Sequence, residues 1–406
     1  MLAAFGMRGI ALGGRFLFVI FAAKYMLPQD LGRFGLLAAL ALIVPTITGL
    51  ECYQVLLRRI LQEPSRAAET RRFYGAFMLA GSLASGVLGA LTLAAFGWSI
   101  SEIGIGSAIL VLEYIGLETY RNLINERHPA LAVLSIALRT GAWGVAIPAL
   151  FFAGLLPAPW TFETVLWFWL VGAIFAVLIG MPIWPRFRPR RRDFQPRRAF
   201  ATLKEVLGRS WMWIVYNASW KVIETGGRFV AVWMISETAA GRFTFISMLA
   251  SLSYVAQKGV VEPIYYPKLS ALDTTEKTFR DFRRTNVVVI ILGVLCSTLG
   301  LAASAWLNGE KPPQSELLAF GFLCLAFAFL SLSQSAHYRL YRMHRDRSIM
   351  KCGVAGSIAM VVSACAATPL WGIAGTAAGT MLGALVLLTF TNRAARGVLP
   401  GAMGQR

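Results

Sequence analysis

Two stretches decide how this chain is read: MRGIALGGRF, from Met7 to Phe16, and WKVIETGGRF, from Trp220 to Phe229. At an offset of 213 positions, Arg8 aligns with Lys221, Gly13-Gly14 with Gly226-Gly227, Arg15 with Arg228 and Phe16 with Phe229. A second echo follows: Leu31-Gly32-Arg33-Phe34 matches Ala240-Gly241-Arg242-Phe243. The two copies lie about half of the 406-residue chain apart, which reads as an internal duplication.

What surrounds these stretches is apolar. Hydrophobic residues make up 57% of the chain and charged ones only 15%, with a mean hydropathy of +0.61. A soluble domain of this size could not hide so much apolar surface from water. The apolar runs approach the length of a bilayer-spanning helix. We place twelve spans at 5–27, 32–57, 73–97, 101–120, 130–153, 164–184, 208–235, 240–261, 285–306, 317–336, 351–370 and 372–391. The N-terminal run carries Arg8, Arg15 and Lys24 and no small-residue cleavage site, so it reads as a first span rather than a signal peptide.

The net charge of +19 would suggest nucleic acid in a soluble protein, but here the basic residues sit in short loops between spans. With the N-terminus inside, the segments 58–72, 121–129, 185–204, 262–284, 337–351 and 392–406 hold 28 Lys and Arg. The opposite side holds three, Arg33, Arg242 and Lys311. That asymmetry predicts a multi-pass protein of the cytoplasmic (inner) membrane with both termini cytoplasmic. Basic loops of this kind also attract anionic membrane lipids. Trp98, Trp160, Trp306 and Trp371 fall at outer span ends, where an amphipathic ring suits the interface.

The expected architecture is an all-α membrane protein of two six-helix bundles around a central cavity. Residues 1–190 form the first bundle, 191–204 a basic Pro- and Arg-rich linker, and 205–406 the second. Six spans per half return the chain to its starting side, so the repeats are parallel.

Charges within a span cost about 2.5–3.5 kcal/mol each on insertion scales, so they mark a wet cavity or a partner. Arg8 and Arg15 share one face of span 1, and Lys221, Glu224 and Arg228 form a stripe on span 7. If the two faces converge, four cations and one acid surround a site suited to phosphate or pyrophosphate. The same stripe also reads as helix-to-helix salt bridging through Glu224. Arg139 is a candidate fifth cation, and Glu113 joins Glu224 as a candidate charge partner or ion-coupling group. Glu118 and Glu51 read equally well as interfacial. Tyr216, Trp220 and Tyr254 could stack on sugar rings, or simply pack.

No catalytic set is visible: there is no Walker loop, no HExxH and no paired acidic motif, and His128, His337 and His344 fall in predicted loops. An enzyme is not expected, nor any cofactor or metal. Cys52, Cys296, Cys324, Cys352 and Cys365 lie in apolar runs without a CxxC pair and read as small hydrophobes.

Leu27–Leu50, LPQDLGRFGLLAALALIVPTITGL, and Pro369–Gly383, PLWGIAGTAAGTMLG, resemble the start of span 2 and the final span of the polysaccharide-repeat-unit (Wzx-type) flippases. These belong to the multidrug/oligosaccharidyl-lipid/polysaccharide exporter (MOP) superfamily. The resemblance covers the architecture of the whole chain but only short stretches of sequence. It implies transport of undecaprenyl-pyrophosphate-linked oligosaccharides across the cytoplasmic membrane by alternating access, without ATP. It further implies a polysaccharide polymerase and chain-length proteins as partners. A multidrug or cation antiporter of the same superfamily is the alternative; against it, the cavity candidates are mostly basic.

Overall fold

The computed structural model describes residues 2–62, 64–126, 128–188, 196–270 and 275–397. Sixteen α-helices are described: α1 (Leu2–Tyr25), α2 (Pro28–Thr48), α3 (Cys52–Gln62), α4 (Ala67–Ala95), α5 (Ile100–Asn125), α6 (Pro129–Ala137), α7 (Trp143–Phe152), α8 (Phe162–Leu178), α9 (Pro196–Met234), α10 (Glu237–Ala250), α11 (Leu252–Ala256), α12 (Glu262–Ser270), α13 (Glu276–Asn308), α14 (Gln314–Arg342), α15 (Asp346–Trp371) and α16 (Ile373–Arg396). Single π-turns, Leu138–Ala142 and Gln257–Val261, join α6 to α7 and α11 to α12.

Eight of the described helical stretches are long and apolar enough to cross a membrane, and α10 with the segment after it forms a ninth, bent by 47°. The remaining expected positions are taken by α8, by α1, and by α9, whose apolar stretch is interrupted by Lys221, Glu224 and Arg228. Burial in α4 is inverted relative to a soluble helix. Leu79, Leu83, Val87 and Leu91 are exposed, while Gly81, Ser82, Ser85 and Gly89 are buried. A lipid-immersed helix does this, because lipid solvates leucine as well as a protein core does and small residues let backbones close up.

Two boundaries depart from the sequence reading. Span 2 was expected to run to residue 57, but α2 stops at Thr48. Leu50 and Glu51 take left-handed backbone angles (φ 47° and 48°), and the basic helix α3 starts afresh. The linker expected over 191–204 is helical from Pro196 onward and continuous with α9, 39 residues long; 189–195 lie outside the described residues. The one-residue turn expected between spans 11 and 12 falls at Gly372, at φ 55°. Beyond it, Gly375, Gly379 and Gly383 repeat every fourth residue. A Cβ at these positions would stand 2.2 Å from the Ala367 carbonyl oxygen and 2.4 Å from Ala364 N and Met360 Cβ respectively. A Thr368–Thr376 hydroxyl contact at 2.9 Å closes the same hairpin.

The chain gathers into two compact units. One comprises Met1–Phe18 and Leu37–Ile214, the other Val19–Leu36 and Val215–Arg406. In the first, Cys52, Leu56, Tyr74, Leu123, Ile183, Phe187 and Val206 form a buried cluster. In the second, Val261, Leu269, Phe279, Phe282 and Tyr338 do the same. The repeated glycine pairs behave alike in each. A Cβ on Gly14 would lie 2.8 Å from the Gly141 carbonyl oxygen, and one on Gly227 2.6 Å from the Phe243 ring, whereas Gly13 has open space and Gly226 only ordinary contacts.

The second echo meets itself inside the second unit. A Cβ on Gly32 would sit 2.3 Å from the Glu237 carbonyl oxygen and 3.1 Å from Gly241 N. One on Gly241 would collide with the Pro28 carbonyl oxygen and lie 3.1 Å from Gly32 N. Pro28 and Glu237 stand at the same position relative to their glycines, so the contact is self-complementary, as across a twofold axis. Arg33 reinforces it with an ion pair to Glu237 at 3.1 Å.

Of the four tryptophans expected at the interface, Trp306 and Trp371 are exposed. Trp98 and Trp160 are instead buried, edge-on to Phe162 and Phe151 at 5.0 and 5.6 Å. Local aromatic partners outcompete the interface for those two rings.

Candidate functional site

Helix α9 carries the polar stripe. Three and four residues are about one turn, so Lys221, Glu224 and Arg228 project from one side. Lys221 Nζ reaches Glu224 at 2.7 Å, the local pairing that the spacing permits. Arg228 is buried, 5% exposed, and donates to the Gly35 carbonyl at 3.0 Å. Gly35 lies against Thr244 so closely that a Cβ there would stand 2.0 Å from its Oγ1, which brings the carbonyl of α2 within reach of α9. Arg8 and Arg15 lie on helix α1, and their side chains fall outside the described residues.

Arg139, read from the sequence as a candidate cavity cation, and Glu113, read as a charge partner or ion-coupling group, face each other in the first unit. They form an ion pair at 3.4 Å, and Arg139 also donates to the Glu113 carbonyl at 2.9 Å. Trp169 donates to the Glu113 carboxylate at 2.9 Å, and Trp143 to the Arg139 carbonyl at 3.0 Å. Arg139 stands in the π-turn Leu138–Ala142, where the extra residue re-aims side chains. The Glu113 carboxylate is thereby matched by the guanidinium and by the Trp169 indole, while Trp143 ties down the backbone of the π-turn that carries Arg139.

Tyr216, Trp220 and Tyr254 are buried in the second unit. Tyr216 stacks on His337 at 5.0 Å, Trp220 donates to the Tyr254 hydroxyl at 2.6 Å, and Tyr254 stacks on Phe327 at 5.9 Å. Their faces are covered by protein in this conformation. The loop placement of His337 is corrected: α14 runs on to Arg342, and the imidazole is buried inside it.

Beside these rings lies a cluster that the sequence reading passed over. Lys258 pairs with Glu262 at 2.9 Å and sits 5.6 Å from the centre of the Trp220 ring. Glu262 accepts from the Tyr338 hydroxyl at 2.5 Å. Gln257 is fully buried with no side-chain partner among the described residues. The signal was present: Lys258 and Glu262 are four apart in an apolar run, the spacing of a helical pair. In the first unit a second polar cluster joins Arg121 to Glu118 at 2.6 Å and to Glu51 at 3.9 Å. Tyr74 donates to Glu118, and the Tyr53 ring lies 3.6 Å from the guanidinium.

No known family's sequence profile matches the chain, and no curated protein matches it. Its fold, however, is found among solved structures of transporters. It superposes on an inward-facing multidrug-resistance MATE family transporter of the MOP superfamily with a TM-score of 0.68, at 14% identity, over 97% of each chain. It superposes equally on the lipid II flippase MurJ in an inward closed conformation, with a TM-score of 0.68, at 12% identity, over 99% of this chain and 88% of that one. A MATE structure in its straight conformation gives a TM-score of 0.61, at 15% identity, over 97% of this chain and 95% of that one. The chain therefore has the multi-pass, all-helical fold of MOP-superfamily transporters.

Proposed function

We propose that this protein is a flippase for an anionic, lipid-linked oligosaccharide of the undecaprenyl-pyrophosphate type, serving surface polysaccharide assembly in the cytoplasmic membrane. The single observation that carries the reading is the repeated basic motif on this fold. Arg8 and Arg15 recur as Lys221 and Arg228, at the same place in each half of the chain. Guanidinium groups offer paired donors to phosphate oxygens, and an ammonium offers a point charge. The shared fold with MurJ, which is a lipid II flippase, supports a lipid-linked substrate; the shared fold with MATE transporters supports alternating access between two bundles.

The charge inventory disfavours a cation antiporter. Glu113 is engaged by Arg139, Glu224 by Lys221 and Glu118 by Arg121, so all three candidate acids already hold a cation of the protein's own. The aromatic trio contributes packing around α9, and any stacking on sugars requires those rings to open.

The test is reconstitution in vesicles containing undecaprenyl-pyrophosphate-linked oligosaccharide, with movement read by the fraction that an outside phosphatase reaches. Replacing both Arg15 and Arg228 with Ala should slow movement by roughly thirtyfold or more, given about 2 kcal/mol or more for a buried charged contact. Retained thermal stability shows that the loss is not unfolding. Wild-type movement in the double variant removes the reading, and drug resistance without lipid movement establishes the antiporter.

A further inference from the structure

A pocket of about 490 Å³ opens in the second unit between the start of α13 and the ends of α14 and α16. Four arginines line it, Arg280, Arg283, Arg339 and Arg396, against a single acid, Glu276. Glu276 is already paired with Arg339 at 2.6 Å. Among the described residues, Arg280, Arg283 and Arg396 make no ion pair. Among the described residues the pocket thus holds three guanidinium groups without an ion pair, with Asn392 as a neutral donor beside them and Leu332, Ala336 and Leu388 as an apolar floor.

The same helix tells what kind of anion fits. Beyond Arg280 and Arg283, at steps of three and four residues, α13 exposes Val287, Val288, Ile291, Leu292, Leu295 and Leu299. These positions form one continuous apolar face that begins at the arginines. As on α4, an exposed apolar face of this kind is the lipid-facing side of a span, so the pocket opens where acyl chains run. A molecule with an anionic head and a hydrocarbon tail uses both.

We propose that this pocket binds the phosphate of an acidic membrane phospholipid of the phosphatidylglycerol class, its acyl chain lying along the exposed face of α13. Guanidinium forks hold the phosphate oxygens, and the Asn392 amide donates to the glycerol or phosphate. The site is separate from the α9 stripe, and its existence does not depend on which molecule the protein transports.

The experiment is titration of the purified full-length protein with phosphatidylglycerol in neutral detergent, read by native mass spectrometry, with phosphatidylcholine, inorganic phosphate and undecaprenyl pyrophosphate as competitors. One phosphatidylglycerol should bind in preference to phosphatidylcholine. Each arginine near an anionic headgroup contributes about fivefold, so R280Q/R283Q/R396Q should weaken this binding by about a hundredfold. N392D places a carboxylate against the phosphate and should weaken it by at least about fivefold; being exposed, it keeps the fold and carries the test if the triple variant does not. Equal affinity for the two phospholipids, or unchanged affinity in N392D and in a folded triple variant, overturns the proposal. So does displacement by inorganic phosphate at equal concentration, which makes the site a plain anion pocket. Preferential displacement by undecaprenyl pyrophosphate also overturns it, because the pocket is then an entry site for substrate.

Discussion

Arg139 and Glu113 form a buried ion pair in the first unit; the Trp169 N–H reaches the carboxylate and the Trp143 N–H bonds the Arg139 backbone carbonyl. Removing one charge strands the other, at a cost of about 3–5 kcal/mol, whereas removing both leaves a neutral site that repacks. R139A should therefore lower the unfolding temperature in detergent sharply, and R139M combined with E113Q should recover most of the loss; tryptophan fluorescence reads both. If the double variant is as damaged as the single, the pair does more than balance charge. The same site shows what a sequence can and cannot yield. The cost of a charge in a span singled out Arg139 and Glu113 one by one, but their pairing is a contact 26 positions apart that no local spacing announces. Lys258 and Glu262 are the reverse case: their four-residue spacing was readable. His337 was hidden for another reason, since only the length of α14 decides whether it lies in a loop or a core.

At the scale of helices, small residues set how closely backbones approach. The α15–α16 hairpin turns on Gly372 and closes along Gly375, Gly379 and Gly383. A leucine at 379 must push Ala364 aside, because its Cβ would start 2.4 Å from that backbone. G379L should cost about 3 kcal/mol, at the upper end for overpacking, and reduce the folded yield. Gly321 in α14 has open space around it, so G321A should be neutral or gain up to about 1 kcal/mol from helix propensity. Thermal unfolding of the two variants side by side separates a packing glycine from an incidental one. Helix positions were largely legible because hydropathy and length report them directly. The stop at Thr48 and the extension of α9 back to Pro196 were not. The first depends on left-handed backbone at Leu50 and Glu51, which no residue-type rule demands there. The second runs helix through a basic segment whose Pro and Arg content resembled a linker.

Over the whole molecule, the two compact units do not follow chain order: α1 changes unit at Phe18–Val19 and α2 at Leu36–Leu37. The intervening segment docks on the second unit through the self-matching Gly32 and Gly241 contacts and the Arg33–Glu237 ion pair. The proposed transport cycle must either flex α1 and α2 at those points or release this segment. Backbone-to-backbone contact leaves no slack for gradual sliding, so release is a discrete event, the behaviour expected of a packed two-state element. If the proposed function is right, alternating access through such a release is blocked by tying the segment down. In a background with all five cysteines replaced by alanine, R33C/E237C bridged by a short thiol cross-linker should abolish lipid movement in vesicles. Cleaving the linker should restore it. The single variants R33C and E237C lose only a half-exposed ion pair, worth about 1 kcal/mol or less, and should keep most of their activity. Unimpaired movement in fully cross-linked protein would show that the segment stays docked throughout the cycle and that α1 and α2 bend instead.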